Sequence, residues 1–529
     1  MSVKCLGRQP AGKGSRLSKI MLQIGSKCVI AAFLVSILAL ATPMLAQQMT
    51  GTLTGIVTDS DNAVIPGAKV ALTNEASGNT FRTETNNEGF FSIAAILSGT
   101  YTLRVETEGF ATLVRTGIVF RPGDRRYLSD LKMEIGAVTE TITITSAPDT
   151  VTPVDSGEQS SVVTSEQLQE LSVVGRSAAE FIKILPGMAS TGSGIFNSPG
   201  FSGEVIGING NGDGGKQSAL SNYAANGQRG NAMDIVTDGA NTADPGCNCA
   251  TPVNPNMDMV QEFKVLTGTY SAEHAKGPIV MQAVTKGGGK EFHGGAYYFL
   301  RDYRLNSNDW ALNRAGQERP KNQYQFPGGN IGGPVLIPGT DFNKNRDKLF
   351  FFTGYEYYKQ KIDTGVLQAI VPTEAMRKGD FSDTAYMSKL GGADARKMPT
   401  GEGIVNGIIP ASMWEDRGRV LMNLFPLPNV DPGANNGKNY VEALLLDQNM
   451  HQWTTRVDYN VSDFTKLFVR YNLQREAQNF PVQLWGRSGD HVPYPSLVIG
   501  DNRSDSISAS LTNVFSPTVT NEFVFGYTF

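Results

Sequence analysis

The 529-residue chain is predicted to be mainly β: an N-terminal β-sandwich, a loop-rich α+β domain, then part of a transmembrane antiparallel β-barrel. Three observations lead there. The first is the hairpin between His451 and Arg475. Trp453, Thr455, Val457, Tyr459 and Val461 share one face of its first strand, and Thr454, Arg456, Asp458 and Asn460 share the other. After Ser462-Asp463, Leu467, Val469, Tyr471 and Leu473 oppose Arg470, Asn472 and Gln474. Period-2 alternation puts one face on something apolar and the other on water. The second is the alternation of short turns (near 338–347, 462–464 and 515–519) with long loops (359–450 and 476–503), which is the barrel arrangement. A soluble sandwich has little use for a loop of about ninety residues. The third is a set of short strands near the N-terminus, spaced by roughly ten residues with turn chemistry between them.

The bulk numbers exclude more than they select. The length suits about three or four domains. Hydrophobic content is 40%, charged content 18% and the formal net charge −4, so nothing points to nucleic acid. The 58 glycines favour turns and strands over helices. The one long apolar run lies near the N-terminus, so the body of the chain is not a helical membrane bundle.

Taken in order, residues 1–46 read as a signal peptide. Lys4, Arg8, Lys13, Arg16, Lys19 and Lys27 precede an apolar stretch from Val29 to Leu40, and Ala46 offers a small residue before Gln47. Met21 is an alternative start, and an uncleaved anchor is the alternative reading. Cleavage leaves Cys247 and Cys249 as the remaining cysteines, in a turn-rich loop where a local disulfide and two separate thiols both stay open.

Residues 50–135 form the sandwich, with strands at 51–58, 68–73, 80–85, 90–93 and 101–105. Residues 136–154 are a linker. It holds Glu140, Thr141, Ile142, Thr143, Ile144 and Thr145, a segment of strong β propensity without an obvious partner. It reads either as the last sandwich strand or as a peptide that adds to another protein's sheet edge.

Residues 155–286 form the α+β domain. Thr164-Ser-Glu-Gln167 and Ser177-Ala-Ala-Glu180 have the spacing of capping boxes opening helices to Leu171 and Leu185, the second stopped by Pro186-Gly187. Strands follow at 234–237, 260–266 and 278–285. Residues 287–529 are the barrel part, with about seven strands: 292–301, 323–337, 349–358, the 451–475 pair, 504–514 and 520–529.

The sandwich segment resembles the carboxypeptidase regulatory-like domain, a transthyretin-like fold. The matching residues are Gly55-Ile-Val-Thr-Asp59, Pro66-Gly-Ala-Lys-Val70, Thr85-Asn-Asn-Glu-Gly-Phe-Phe91, Gly99-Thr-Tyr-Thr-Leu103 and Glu108-Gly-Phe110. With Val163–Leu171, Asn231–Asn241, Val260–Val265, Thr269–Glu273, Val284–Gly295, Gly332-Gly-Pro334, Gly379-Asp-Phe-Ser382 and Leu424–Asn429, the order of motifs resembles the TonB-dependent outer-membrane receptors of the Oar-like group. The resemblance implies that 155–286 is a plug inside the barrel. It implies a Gram-negative outer-membrane site, contact with outer-membrane lipid, and import of an unidentified ligand with energy from the TonB complex. It also implies that residues 140–145 are the TonB box. Barrels of this type carry 22 strands, so the chain is expected to be a fragment, although Phe523-x-Phe-x-Tyr-x-Phe529 has the pattern of a closing strand.

The expected function is therefore a transporter and not an enzyme. An adhesin or passive porin, and a secreted β-rich binding protein, are the alternatives. Arg456, Asp458 and Arg470 are expected to face the lumen, where such residues touch ligand or pair with the plug. No catalytic, cofactor or metal site is expected. His274, His293, His451 and His491 are isolated. Asn209–Lys216 only half-matches a phosphate loop and a calcium loop, with Gln217 and Leu220 in place of the required residues.

Overall fold

The computed structural model describes residues 50–136, 141–145, 157–171, 176–190, 223–227, 233–243, 251, 253, 256–270, 274, 279–480, 498–516 and 519–529. The leader, Glu140, the 209–216 loop, Cys247, Cys249 and His491 lie outside the described residues.

The sandwich packs two sheets. Strands β1 (Gly51–Asp59), β2 (Lys69–Asn74), β3 (Thr80–Glu84), β4 (Phe90–Ile96), β5 (Gly99–Glu106), β6 (Thr112–Phe120), β7 (Arg125–Met133) and β8 (Thr141–Thr145) are divided between them. The orders are β4-β1-β7 and β3-β2-β5-β6-β8. Alternate residues of β1 are buried against Leu72, Leu103, Phe91, Phe120 and Met133 in one apolar core. The five strands expected from sequence are present, and β6 and β7 add to them. β6 escapes a period-2 reading because a register shift breaks its alternation and Gly117 takes φ +75°. β7 escapes because Arg125, Arg126, Ser129, Asp130 and Lys132 dominate its solvent side.

The α+β domain, the candidate plug, holds a five-stranded sheet, β13-β12-β15-β14-β9. Its strands are β9 (Gln159–Val163), β12 (Met233–Thr237), β13 (Ala240–Asn241), β14 (Val260–Gly268) and β15 (Ile279–Thr285), and a small pair, β10 (Met188–Ser190) and β11 (Tyr223–Ala225), stands apart. β15 is central and every one of its residues is buried. Helix α1 (Ser165–Glu170) carries the full capping box, with Thr164 and Gln167 bonding reciprocally. The second expected helix is a correction: Ala178–Ile184 winds as a 3₁₀ turn. Ser177 Oγ accepts from Ala179 N at 3.4 Å, one residue short of the capping-box register. Ser177 itself is tied as a bridge to Asn256, which fixes the entry geometry.

The wall is a seven-stranded antiparallel meander, β16 (His293–Asp302), β17 (Gln323–Pro334), β18 (Leu349–Ala369), β19 (Tyr440–Asn460), β20 (Thr465–Phe480), β21 (Val498–Ser516) and β22 (Val519–Thr528), each paired with its sequence neighbour. The sheet is open, with β16 and β22 at its edges. Strands β18 and β19 reach 21 residues, so the loop expected at 359–450 contracts to 370–439, and β20 and β21 extend to Phe480 and from Val498 into the loop expected at 476–503. The reason lies in the side chains. Beyond Tyr357 and His451 the outward positions become Lys359, Lys361, Asp447 and Asn449, so apolar alternation stops while backbone pairing continues.

Candidate functional site: the plug seated in the wall

The wall is inside out relative to a soluble protein. Its buried face carries Glu356, Gln360, Gln448, Gln452, Thr454, Arg456, Arg470, Asn472, Gln474, Glu476 and Ser504 through Thr512 on even positions. Its exposed face carries Tyr298, Leu300, Tyr355, Trp453, Val469, Tyr471, Phe523, Phe525 and Tyr527. A continuous exposed apolar face over a polar interior suits lipid outside and a polar lumen inside. The outward apolar band is bounded: on β20 it runs from Leu467 to Leu473 and stops at Arg475, which pairs with Asp505 at 2.9 Å.

Two buried ionic clusters join plug to wall. The first centres on Asp238. Asp238-Gly239 is a two-residue turn between β12 and β13 with both φ positive, +47° and +79°, the geometry Asp-Gly favours. The Asp238 carboxylate accepts from Thr285 N at 2.9 Å and from Thr285 Oγ1 at 2.7 Å. On the wall side it meets Arg456 Nη1 at 3.3 Å and Arg470 Nε at 3.1 Å. All three side chains are at most 1% exposed. Arg456 also donates to Asp458 at 2.9 Å and lies over the Phe468 ring at 4.3 Å. Ser508 Oγ donates to Asp238 O at 2.6 Å. Two arginines face two aspartates, so the cluster carries no net charge.

The second cluster centres on Arg176, held at φ +56° ahead of the 3₁₀ turn. Arg176 Nε donates to Glu356 Oε2 at 2.8 Å, and its Nη2 pairs with Asp258. Its guanidinium stacks over Phe299 at 4.1 Å and Tyr297 at 4.7 Å. Burial opposes its charge, but Glu356 and Asp258 hold its pKa above the ordinary arginine value. Glu356 further accepts from Asn256 Nδ2 at 2.7 Å and Tyr297 Oη at 2.8 Å. The Met259 side chain of the plug packs onto the wall backbone, where a Cβ on Gly354 would sit 3.0 Å from its Cγ.

The sandwich sits at the short-turn end of the wall. Arg82 pairs with Asp463 in the β19–β20 turn at 3.4 Å, Thr50 Oγ1 donates to Glu522 at 2.9 Å, and Lys466 Nζ lies 3.2 Å from the Phe81 ring centre. It also touches the plug. Gln261 donates to Ser98 O at 2.7 Å, and buried Lys264 donates to Pro122 O at 3.0 Å. Glu262, next to these, is pushed up to about 7, first by burial, with Asp124 adding to the rise and Ser98, Arg121 and Lys264 opposing it.

Of the residues singled out in the sequence, Arg456, Asp458 and Arg470 come together on the inner wall, two of them on the plug's Asp238. Thr141–Thr145 lies far along the chain from them, as β8 on the sandwich edge. The sequence reading missed Asp238, Arg176, Asp258 and Glu356. Asp238 had a local signal, the Asp-Gly pair after a β-rich run; the others had none.

An antiparallel sheet with an apolar exposed face and a polar buried face has the character of an outer-membrane β-barrel wall, which sites the chain in the outer membrane. Residues 284–529 match the outer membrane beta barrel domain, and residues 52–134 match the carboxypeptidase regulatory-like domain. The TonB-dependent transporter Oar of Myxococcus xanthus is 28% identical over 331 residues, 59% of this chain and 27% of that protein. The chain thus spans about a quarter of the length of that curated relative. The siderophore receptor PirA of Acinetobacter baumannii is 14% identical with a TM-score of 0.38, over 70% of this chain and 39% of its own. The outer membrane transporter YddB of Escherichia coli is 9% identical with a TM-score of 0.42, over 70% and 38%.

Proposed function

We propose that this chain is the plugged portion of a TonB-dependent receptor that binds a ligand at the outer membrane and admits it when the plug is displaced. The observation that carries the reading is the pair of buried ionic clusters. They seat a distinct sheet against a polar inner wall with matched charges, a contact costly to break from one side and built of groups that water can resolvate once the plug shifts. The Myxococcus relative, a TonB-dependent transporter, supports the same reading.

In this reading residues 140–145 receive the pull. Residues 146–158 separate β8 from β9, and β9 is the edge strand of the plug sheet. Tension at Gln159 loads the pairs with β14 one at a time, starting at Gln159↔Gly268. Sequential peeling of an edge strand needs less force than shearing a whole sheet, because few hydrogen bonds carry the load at once. Arg456, Asp458 and Arg470 hold the plug closed in this scheme, and their side chains line the path when it opens.

The test is uptake of labelled iron chelates, glycans, corrinoids and peptides by cells carrying the receptor. Uptake of one class that stops when the proton gradient is collapsed, and that deletion of 140–145 abolishes while binding persists, is the expected result. Uptake indifferent to both treatments would assign the chain to passive permeation.

A further inference from the structure

We infer that the cleft between the outer face of the sandwich and two short turns of the wall binds the headgroup of a zwitterionic phospholipid, an amine-bearing phosphodiester, from the periplasmic leaflet of the outer membrane. Such a lipid is held whether or not the plug moves.

The cleft measures about 820 Å³. One side of it is the solvent face of β3, β2 and β5, and the other is the β19–β20 and β21–β22 turns. Strand register sets the charges of that face in two rows. In one row Ala71 lies between Arg82 on β3 and Arg104 on β5. In the next row Lys69 lies between Glu84 and Glu106. Neighbouring strands run about 4.8 Å apart, so the Cα atoms of the two arginines stand roughly 10 Å apart across a methyl group. That gap admits a phosphate between two guanidinium groups, which bind phosphate oxygens through charge-assisted hydrogen bonds. Arg82 gives Nη1 to Asp463 and Arg104 gives Nε to Glu106, so both keep further N–H donors. The second row lies about 7 Å further along the strands. There the exposed Glu84 and the half-buried Glu106 offer carboxylates to an amine.

The charges lining the cleft balance: Lys69, Arg82 and Arg104 against Glu84, Glu106 and Asp463. A simple anion would meet the carboxylates as well as the cations. A headgroup carrying both a phosphate and an amine matches both rows. The turns decide what carries that headgroup. Phe464 is 56% exposed and Phe515 70% exposed, and both line the cleft. Short turns lie on the periplasmic side of an outer-membrane barrel. The outward apolar band of β20 starts just past Phe464, at Leu467, and aromatic residues at such a boundary sit at the lipid interface. A soluble phosphodiester has no use for two exposed phenylalanine rings beside its charges, whereas the acyl chains above a headgroup cover them. The bound lipid ties the sandwich to the membrane beside the Arg82–Asp463 contact.

The test uses the full chain purified in detergent. Binding of dihexanoyl phosphatidylethanolamine, dihexanoyl phosphatidylglycerol and glycerophosphoethanolamine is measured by native mass spectrometry. The expected result is phosphatidylethanolamine bound at least about tenfold more tightly than either comparator. Ala71→Glu puts a carboxylate between the two arginines, and Arg104→Gln removes one of them while leaving the Arg82–Asp463 contact in place. Each is expected to weaken lipid binding by at least about tenfold. Phe515→Ser is expected to weaken it by about threefold and to leave glycerophosphoethanolamine unchanged. Ala71→Ser, which keeps the gap open, is expected to bind like the unmodified chain. Glycerophosphoethanolamine bound as tightly as the lipid would make this a site for a soluble phosphodiester and overturn the inference. Phosphatidylglycerol bound equally well would remove the role of Glu84 and Glu106 and overturn it too. Undiminished lipid binding by both Ala71→Glu and Arg104→Gln would place the lipid elsewhere on the molecule.

Discussion

At Asp238 one carboxylate takes two hydrogen bonds from Thr285 and two guanidinium contacts from the wall, with almost no solvent access. Removing its charge leaves Arg456 with Asp458 alone and Arg470 without an acidic partner in this cluster. Breaking a buried pair from one side costs more than the pair contributes, because the stranded charge stays desolvated. Asp238→Asn is expected to destabilise the seated plug by about 3–5 kcal/mol. Asp463→Asn, which breaks the exposed pair with Arg82, is expected to cost less than about 1 kcal/mol. Chemical denaturation of the two variants in detergent checks the contrast. Glu262 titrates in the opposite sense to most surface carboxylates. Its folded pKa of about 7 lies above the ordinary glutamate value of 4.5, so the folded state holds the proton more tightly. The stabilisation is full below about pH 4.5 and is lost as pH rises through 7, on the order of 3 kcal/mol in all. Melting curves between pH 5 and 8 should show falling stability with rising pH. Glu262→Gln should flatten that dependence; an unchanged slope would place the titrating group elsewhere.

The elements divide into those the sequence announces and those only the tertiary fold creates. The lower half of the wall was legible because lipid on one side and a polar lumen on the other impose strict alternation, as at Trp453–Val461 and Leu467–Leu473. The upper halves of β18 and β19 were not, because the outward positions turn polar there, at Lys359, Lys361, Asp447 and Asn449, while Tyr358, Ile362 and Met450 stay buried behind them. β9 was illegible for a related reason: Gln-Ser-Ser-Val-Val is short and mixed, and becomes a strand by docking on β14. The ionic clusters join residues far apart in sequence, Arg176 with Glu356 and Asp238 with Arg456, so no local pattern could have paired them. The same contrast predicts where the plug yields. β15 is central and buried throughout, whereas β9 is an edge strand with two exposed residues at its N-terminal end. Hydrogen exchange should find the β9 amides opening first and the β15 amides last, because local opening follows packing and the number of pairing partners. Equal protection of the two strands would remove the peeling route.

Across the whole molecule, one apolar band decides what surrounds the wall. On β20 the outward residues between the short turn and Arg475 are Leu467, Val469, Tyr471 and Leu473, and Val469 stands near the middle of the roughly 9–11 residues that a tilted strand needs to cross. Laterally it faces Val457 and Ala509, with no polar neighbour in register. Val469→Arg therefore reads the solvent directly. In lipid an arginine at this depth costs about 2–4 kcal/mol; on a water-facing sheet the same exposed substitution lies within about 0.5 kcal/mol. Ala477→Arg on the same outward face of the strand, above the Arg475 boundary, supplies the comparison, since that level stands clear of the hydrocarbon. The expected outcome is impaired outer-membrane assembly and lower unfolding stability for Val469→Arg, with Ala477→Arg assembling normally. If both variants assemble and melt alike, the band is not in contact with lipid, and the buried Arg–Asp contacts would have to be explained as an ordinary protein core rather than as the seat of a plug.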